Sequence, residues 1–114
     1  MILLAPTGTV SRHHEHRSET LAVATTDGIS IFTRDPHGEW QPRNRALEGT
    51  FVASLTQLED GTLVAGTHGL GIARSQDNGK TWQLANKGMP LYDVWVVKAL
   101  KIHGVERLYA GTLP

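Results

Sequence analysis

Cysteine is absent from this chain of 114 residues, so neither a disulfide framework nor a thiolate metal site can form. An excess of charge of one sign is also lacking, because 11 Lys and Arg residues balance 11 Asp and Glu residues. A neutral balance produces no field that would attract nucleic acid or an acidic membrane surface. We therefore expect neither nucleic acid nor membrane among the partners.

Long hydrophobic runs are missing as well. The apolar run 1–5 is interrupted at Pro6, and no basic segment precedes it. A secretory signal core needs about 7–15 apolar residues, and a membrane-spanning helix needs about 20. We interpret the run as a β-strand of a soluble protein without a signal peptide. The compartment stays open, since a chain without cysteine suits the periplasm too, and the cytoplasm is favoured.

The apolar residues that are present follow the pattern of strands. Runs such as 63–66 and 94–97 are almost continuously apolar or small, and no stretch shows a convincing helical period. Such runs are typical of strands that are covered on both faces. The sequence therefore predicts an all-β protein.

Residues 75–82, here called the 75–82 motif, form the most specific local pattern. An apolar strand leads into Ser75, the residues Asp77-Asn78-Gly79 reverse the chain, and Trp82 begins the returning strand. Asp and Asn bond their own backbone in tight turns, and Gly adopts a positive φ without steric cost. The defining residues are Ser75, Asp77, Gly79, Thr81 and Trp82.

The motif has a second, degraded copy earlier in the chain. Aligning Trp40 with Trp82 gives an offset of 42 and defines the 33–40 motif, with His37 in the position of glycine and Glu39 in that of threonine. Residues 108–112 also repeat residues 63–67 at an offset of 45. Blades of β-propellers recur every ~40–50 residues. The residues of the degraded motif that match are Thr33, Asp35 and Trp40.

The serine-any-aspartate-any-glycine-any-threonine-tryptophan spacing resembles the Asp box, or bacterial-neuraminidase repeat, of sialidase-like and YVTN-type β-propellers. The resemblance covers eight residues. It implies that the motif lies on the outer hairpin of a blade, away from the ligand-binding face, and that Asp77 and Trp82 are structural. Asp77 would hold the turn through its backbone N–H groups, while Trp82 would bury its ring.

The resemblance predicts a partial β-propeller of about two and a half four-stranded antiparallel blades. We assign 1–49 to the first blade, 50–90 to a complete blade and 91–114 to the start of the next. Propellers close with about four to eight blades, so we expect the chain to be the N-terminal part of a longer domain. The strands of the complete blade are predicted at 51–58, 62–67, 70–75 and 81–84.

Connectivity then indicates where a ligand would bind. In an antiparallel blade successive turns lie at opposite ends of the sheet, so both motifs share one end and the 27–28 and 68–69 turns share the other. We expect the linkers 42–49 and 85–92 at that second end. The simplest interpretation of each polar residue there is a solvated loop residue. The candidate ligand-face residues are Asp27, Arg43, Arg45, His68, Lys87, Tyr92 and Asp93.

A metal site is conceivable only at His13-His14-Glu15-His16, where His14 and His16 project to the same side of an extended chain. Zinc takes three or four converging ligands, and no second cluster supplies the remainder. We interpret the segment as a polar loop and predict neither metal nor cofactor.

Two classes of function remain open. In the first, the propeller is a non-catalytic binding or assembly scaffold with an unknown ligand or protein on its face, as in photosystem-assembly factors and sortilin-type receptors. In the second, the chain is part of a sialidase-like glycoside hydrolase whose catalytic residues lie largely beyond residue 114. No arginine is followed by the Ile-Pro that sialidases carry, and no nucleophile elbow, phosphate loop or zincin motif occurs.

We favour the scaffold and assign no catalytic residue. Because the remaining blades are missing, we also expect the chain to self-associate.

Overall fold

The computed structural model describes residues 1–11 and 18–112, and within these ranges the chain is all-β, as predicted. The described residues form eleven strands in three sheets. No helix in the described ranges is long and apolar enough to cross a membrane. The strands are β1 (Ile2–Ala5), β2 (Gly8–Ser11), β3 (Thr20–Thr25), β4 (Gly28–Arg34), β5 (Trp40–Ala46), β6 (Val52–Gln57), β7 (Leu63–Thr67), β8 (Gly71–Ser75), β9 (Gln83–Leu84), β10 (Val94–Ile102) and β11 (Val105–Thr112).

The second sheet has the predicted architecture. Strands β6, β7, β8 and β9 lie side by side in chain order, and every neighbouring pair is antiparallel. All five residues of β7 are buried, as are five of the six residues of β6. A strand covered on both faces has no solvent-facing positions, which explains why its apolar residues do not alternate with polar ones.

The first sheet departs from the prediction of four antiparallel strands. Its order is β2-β1-β3-β4-β5, and β1 runs parallel to β3, with Leu3 opposite Ala22. A parallel pair requires a crossover of about a dozen residues or more, and segment 6–19, which contains β2, provides that length. The N-terminal apolar run is a strand, as predicted, but the sheet has five strands and one parallel pair.

The third sheet is the hairpin of β10 and β11, and it repeats the geometry of β6 and β7. In β6 a bulge lies between Val52 and Ser54, and in β10 a bulge lies between Val94 and Val96. A bulge adds one residue to one strand and bends it. The extra residues are Ala53 and Trp95.

Two apolar layers hold the three sheets together. One lies between the first and second sheets and contains Ile29, Ile31 and Leu63. The other lies between the second and third sheets, where Val94 and Val97 pack on β7 and β8. A Cβ atom at Gly66 would lie 2.8 Å from Cγ1 of Val94, so only glycine permits this close approach.

The prediction of a linker at 42–49 is wrong for residues 42–46. Strand β5 continues to Ala46, and a register shift opposite Ile31 and Phe32 accommodates Arg43. Pro42 fits because β5 pairs only with β4 among the described strands, and an edge strand tolerates the missing N–H group. The connection to the second sheet is therefore the short segment 47–51.

Candidate functional site

The 75–82 motif closes on itself through hydrogen bonds. The N–H of Gly79 donates to Oγ of Ser75 at 2.8 Å, and the Ser75 hydroxyl donates to Oδ1 of Asp77 at 2.8 Å. The N–H of Thr81 donates to the same oxygen at 2.9 Å, and the Thr81 hydroxyl donates to Oδ2. Asn78 and Gly79 have φ values of 61° and 88°. The turn chemistry inferred from the sequence is therefore present.

These donors also set the charge state of the motif. The hydroxyl of Thr81, then its N–H group, then the hydroxyl of Ser75 lower the pKa of Asp77 to about 2. Each donor stabilises the carboxylate more than the acid. Asp77 is thus a fixed anion whose oxygens are occupied by its own turn, which suits a structural role better than proton transfer.

The motif also fastens the second sheet to the first. The carbonyl of Gly79 accepts bonds from Nε1 of Trp82 at 3.1 Å and from Nδ2 of Asn44 at 2.8 Å. A Cβ atom at Gly79 would lie 2.6 Å from Cδ1 of Ile31. Trp82 is half-buried and packs on the adjoining core, so the ring predicted as buried is only partly covered.

The degraded 33–40 motif keeps the aspartate network by other means. Oδ1 of Asp35 accepts the N–H groups of His37 and Glu39, each at 2.9 Å, and Gln41 donates to Oδ2 at 3.0 Å in place of the threonine hydroxyl. The N–H of Glu39 is the main cause of the lowered pKa of Asp35. The residue with a positive φ in this motif is Gly38, at 84°, one position after the residue that aligns with Gly79. The guanidinium of Arg34 lies over the ring of Trp40, with Cζ 4.1 Å from the ring centre.

The other end of the sheets brings together Asp27 and Arg45 of the candidate ligand face. Nη2 of Arg45 lies 3.3 Å from Oδ2 of Asp27 and donates to its carbonyl at 2.7 Å. The N–H of Gly49 donates to Oδ1 of Asp27 at 2.6 Å. This Gly49 bond, then the Arg45 bond, keep the pKa of Asp27 below its usual value.

Segment 47–51 connects this pair to an aromatic cluster around His68. The N–H of Gly28 donates to the carbonyl of Thr50 at 2.7 Å, and the N–H of His68 donates to that of Phe51 at 2.9 Å. The His68 ring stacks on Phe51 with centroids 4.4 Å apart and meets the edge of Trp95 at 3.9 Å. Its Nε2 atom is buried and has no hydrogen-bond partner among the described residues.

Three large apolar side chains in or beside the 68–71 turn are exposed. The N–H groups of Gly69 and Gly71 both donate to the carbonyl of Tyr92 at 2.9 Å, which fixes the 85–92 linker against the turn. Leu70, Tyr92 and Trp95, here called the turn-end patch, have relative exposures of 37, 49 and 41%. Aromatic side chains held in water by a rigid turn are typical of binding surfaces.

The remaining predicted ligand-face residues are more scattered. Asp93 bridges the backbone of His68 beside the turn-end patch, and Lys87 is exposed in the 85–92 linker. Arg43 donates to the hydroxyl of Thr33, so it lies with the 33–40 motif and was wrongly placed in a linker.

Sequence reasoning missed Phe51, Leu70 and Trp95. The available signal was a lone Trp inside the apolar run 94–97. The alternation of side chains along a regular strand does not reveal that Trp95 is the extra residue of a bulge.

Residues 1–11 and 18–112 contain no group of three or more His, Cys, Asp or Glu side chains placed to hold a metal ion. The segment His13-His14-Glu15-His16, for which we predicted no metal, lies outside the described residues.

Comparisons with known proteins identify no relative. No family model, no curated protein and no solved structure matches the chain.

Proposed function

We propose that this chain is part of an Asp-box β-propeller that acts as a non-catalytic binding scaffold. Three features support the propeller. The first is a four-stranded antiparallel sheet whose last hairpin, between β8 and β9, contains the 75–82 motif. The others are a neighbouring hairpin with the same bulge and a preceding sheet in which β3, β4 and β5 match β7, β8 and β9 at an offset of 42. Packed sheets related by such an offset are the blades of this fold. The first sheet differs from the antiparallel pattern of these units in its parallel pair of β1 and β3.

The turn-end patch is the observation that carries the binding function. Trp, Tyr and Arg are the residue types that dominate the energy of protein interfaces. Here Trp95 and Tyr92 are more than two-fifths exposed, and their backbones are fixed by β10 and by the bonds from the 68–71 turn. A fixed backbone reduces the entropy lost on binding.

The charges beside the patch suit the rim of a binding surface. Arg45 and Asp27 are both exposed and lie at the same end of the sheets. Exposed ion pairs contribute little to stability, so the guanidinium of Arg45 can exchange Asp27 for a ligand group while Gly49 continues to hold Asp27. At the opposite end, the carboxylates of Asp77 and Asp35 are engaged by their own turns. The patch with Arg45 and Asp27 is therefore the proposed ligand face.

Site-specific photo-cross-linking tests this proposal. A benzophenone side chain at Tyr92 should capture a discrete partner from the source proteome, and Trp95→Ala together with Leu70→Ala should abolish the capture. The matched control is the same probe at Leu84, which is 57% exposed on β9. Identical products from both positions would reject a specific face. Hydrolysis of a fluorogenic sialoside by the purified chain would instead support the glycoside hydrolase.

A further inference from the structure

Asn78 and Gly79 of the 75–82 motif form the most reactive kind of asparagine dipeptide. Glycine has no Cβ atom, so no side chain hinders its backbone nitrogen from attacking the preceding residue. The two other asparagines, Asn44 and Asn86, are followed by basic residues. We propose that Asn78 is a site of spontaneous backbone modification and that the hydroxyl of Ser75 restrains the reaction in the folded chain. This chemistry needs no ligand and is separate from the binding role.

The reaction converts the Asn78 side chain and the peptide bond that follows it into a five-membered ring. The nitrogen of Gly79 gives up its proton and forms a bond to Cγ of Asn78. The bond between Cγ and Nδ2 breaks, and Nδ2 leaves as ammonia with one added proton. Water then opens the resulting imide at one of its two carbonyls, which leaves aspartate or isoaspartate at position 78. Nothing is oxidised or reduced, and solvent water is the co-reactant.

The folded motif exposes the group that is attacked and buries the nitrogen that attacks it. Asn78 is exposed and adopts a φ of 61° in the turn. Gly79 is buried, and its N–H donates to Oγ of Ser75 at 2.8 Å. Ser75 is itself only 1% exposed. The proton that must leave before the nitrogen can attack is therefore held in a buried hydrogen bond, away from solvent base.

The cyclic product does not fit the closed motif. The imide nitrogen carries no proton, so it cannot donate to Ser75, and the buried hydroxyl loses its donor. The carbonyl of Gly79 accepts bonds from Asn44 and Trp82 and so lies fixed at the junction of two sheets. Isoaspartate adds one carbon to the main chain between this carbonyl and Asp77, whose carboxylate holds the far end of the turn. The hairpin must therefore open before the ring forms, and the modified turn cannot restore the same bonds.

The second copy of the motif lacks this chemistry and provides an internal reference. At the offset of 42, Pro36 aligns with Asn78 and His37 aligns with Gly79. The N–H of His37 donates to Oδ1 of Asp35 at 2.9 Å. Because proline has no side-chain amide, no imide can form there. The reaction is thus specific to one of two similar turns.

Peptide mass spectrometry of the purified chain tests the proposal. Conversion of an amide to an acid changes the mass of the peptide that contains Asn78, so the rate is read at that position. In mildly alkaline buffer we expect the folded wild type to react at least tenfold more slowly than the same chain unfolded in urea. Ser75→Ala should remove most of that difference. Ser75→Thr should preserve it, since it keeps the hydroxyl that Thr33 provides in the second copy.

A matched substitution separates the role of Ser75 from a general loss of stability. Ser54 of β6 is also buried, and its Oγ accepts the N–H of Val97 at 3.1 Å. Ser54→Ala should leave the rate at Asn78 close to that of the wild type. Equal rates in the folded and unfolded wild type, or equal acceleration by Ser54→Ala and Ser75→Ala, would overturn the proposal.

Hydrogen exchange keeps the test decisive if Ser75→Ala does not fold. In the wild type, the Gly79 amide should exchange more slowly than in the unfolded chain by about the same factor as Asn78 reacts more slowly, because one local opening frees both. A Gly79 amide that exchanges freely while Asn78 stays unreactive would show that Ser75 does not restrain the reaction.

Discussion

The side-chain amide of Asn44 in β5 donates to the carbonyl of Gly79 at 2.8 Å, and this bond crosses from the first sheet to the second. The same carbonyl accepts the indole N–H of Trp82. One backbone group of the 75–82 motif thus secures both its own hairpin and the neighbouring sheet. Asn44→Ala should destabilise the chain by about 0.5–1.5 kcal/mol, the usual contribution of one hydrogen bond, as measured by urea unfolding. Gln41→Ala, which removes the exposed bond from Gln41 to Asp35 and leaves the junction intact, is the control and should cost less.

Gly79→Ala should destabilise the chain far more than a positive φ alone explains. The new Cβ would lie 2.6 Å from Cδ1 of Ile31, closer than packed carbon atoms approach. Gly88→Ala is the matched control, because Gly88 has a similar φ of 82° but no neighbouring atom within 4 Å of such a Cβ. We expect the free energy of unfolding to fall by about 1 kcal/mol in Gly88→Ala and by about 3 kcal/mol in Gly79→Ala.

A double variant checks the cause of that difference. Ile31→Ala removes both Cδ1 and Cγ1, which would lie 2.6 and 2.9 Å from the new Cβ, so the loss of stability in Gly79→Ala with Ile31→Ala should be smaller than the sum of the two separate losses. Strict additivity would show that the contact with Ile31 is not the reason.

Asp77 should give the chain a stability that depends on pH in the acid range. Its pKa in the folded state is about 2, below the ordinary value of 3.8. Between these values the unfolded chain binds the proton more readily, so unfolding becomes easier as the pH falls. The stabilisation is complete above about pH 4 and is lost towards pH 2. Thermal melts of the wild type and of Asp77→Asn should differ at pH 6 and converge near pH 2.

Trp82 anchors the outer hairpin by packing and by one hydrogen bond, and two substitutions separate these effects. Trp82→Phe keeps much of the ring and loses the bond to Gly79, which should cost about 1 kcal/mol. Trp82→Ala loses both and should cost about 2–4 kcal/mol, less than for a fully buried indole because the ring is only partly buried. Equal losses in chemical denaturation would mean that ring packing contributes nothing.

The outward face of the third sheet should drive self-association. Val96, Leu100, Ile102, Val105 and Tyr109 are each at least 40% exposed, and alternation places them on the face turned away from β6. Leu100→Lys with Ile102→Lys should shift the chain towards monomer in sedimentation velocity. Leu84→Lys adds charge on β9, away from this face, and should leave the self-association unchanged. A wild-type chain that is strictly monomeric at high concentration would contradict the expectation.

The parts of this fold that follow from the sequence are those fixed by neighbouring residues. The hairpin at Asp77-Asn78-Gly79 depends on turn chemistry within eight residues, and strands β6 to β9 follow from it in order. The pairing of β1 with β3 joins residues far apart in the chain, and no local pattern distinguishes a parallel partner from an antiparallel one.

The candidate site was predicted in part for a similar reason. His68, Tyr92 and Asp93 could be placed because turns and linkers alternate between the two ends of an antiparallel sheet. The aromatic partners of His68 come from a linker and from a bulge, and neither position has a periodic signature. Arg43 was misplaced because Pro42 indicates a strand end, whereas on an edge strand it is compatible with continuation.

The bulge in β10 changes what a deletion would do compared with a substitution. Val94 and Val97 are three residues apart, yet both are buried in the same apolar layer, since the extra residue restores the phase of the strand. Replacing Trp95 changes the ring that faces His68 and leaves this phase alone. Removing Trp95 altogether would turn Val94 out of the layer or slide the rest of β10 by one position along β11. The fold therefore depends on the length of β10 as well as on its composition. A shortened β10 could not both bury Val94 in the apolar layer and keep its pairing with β11.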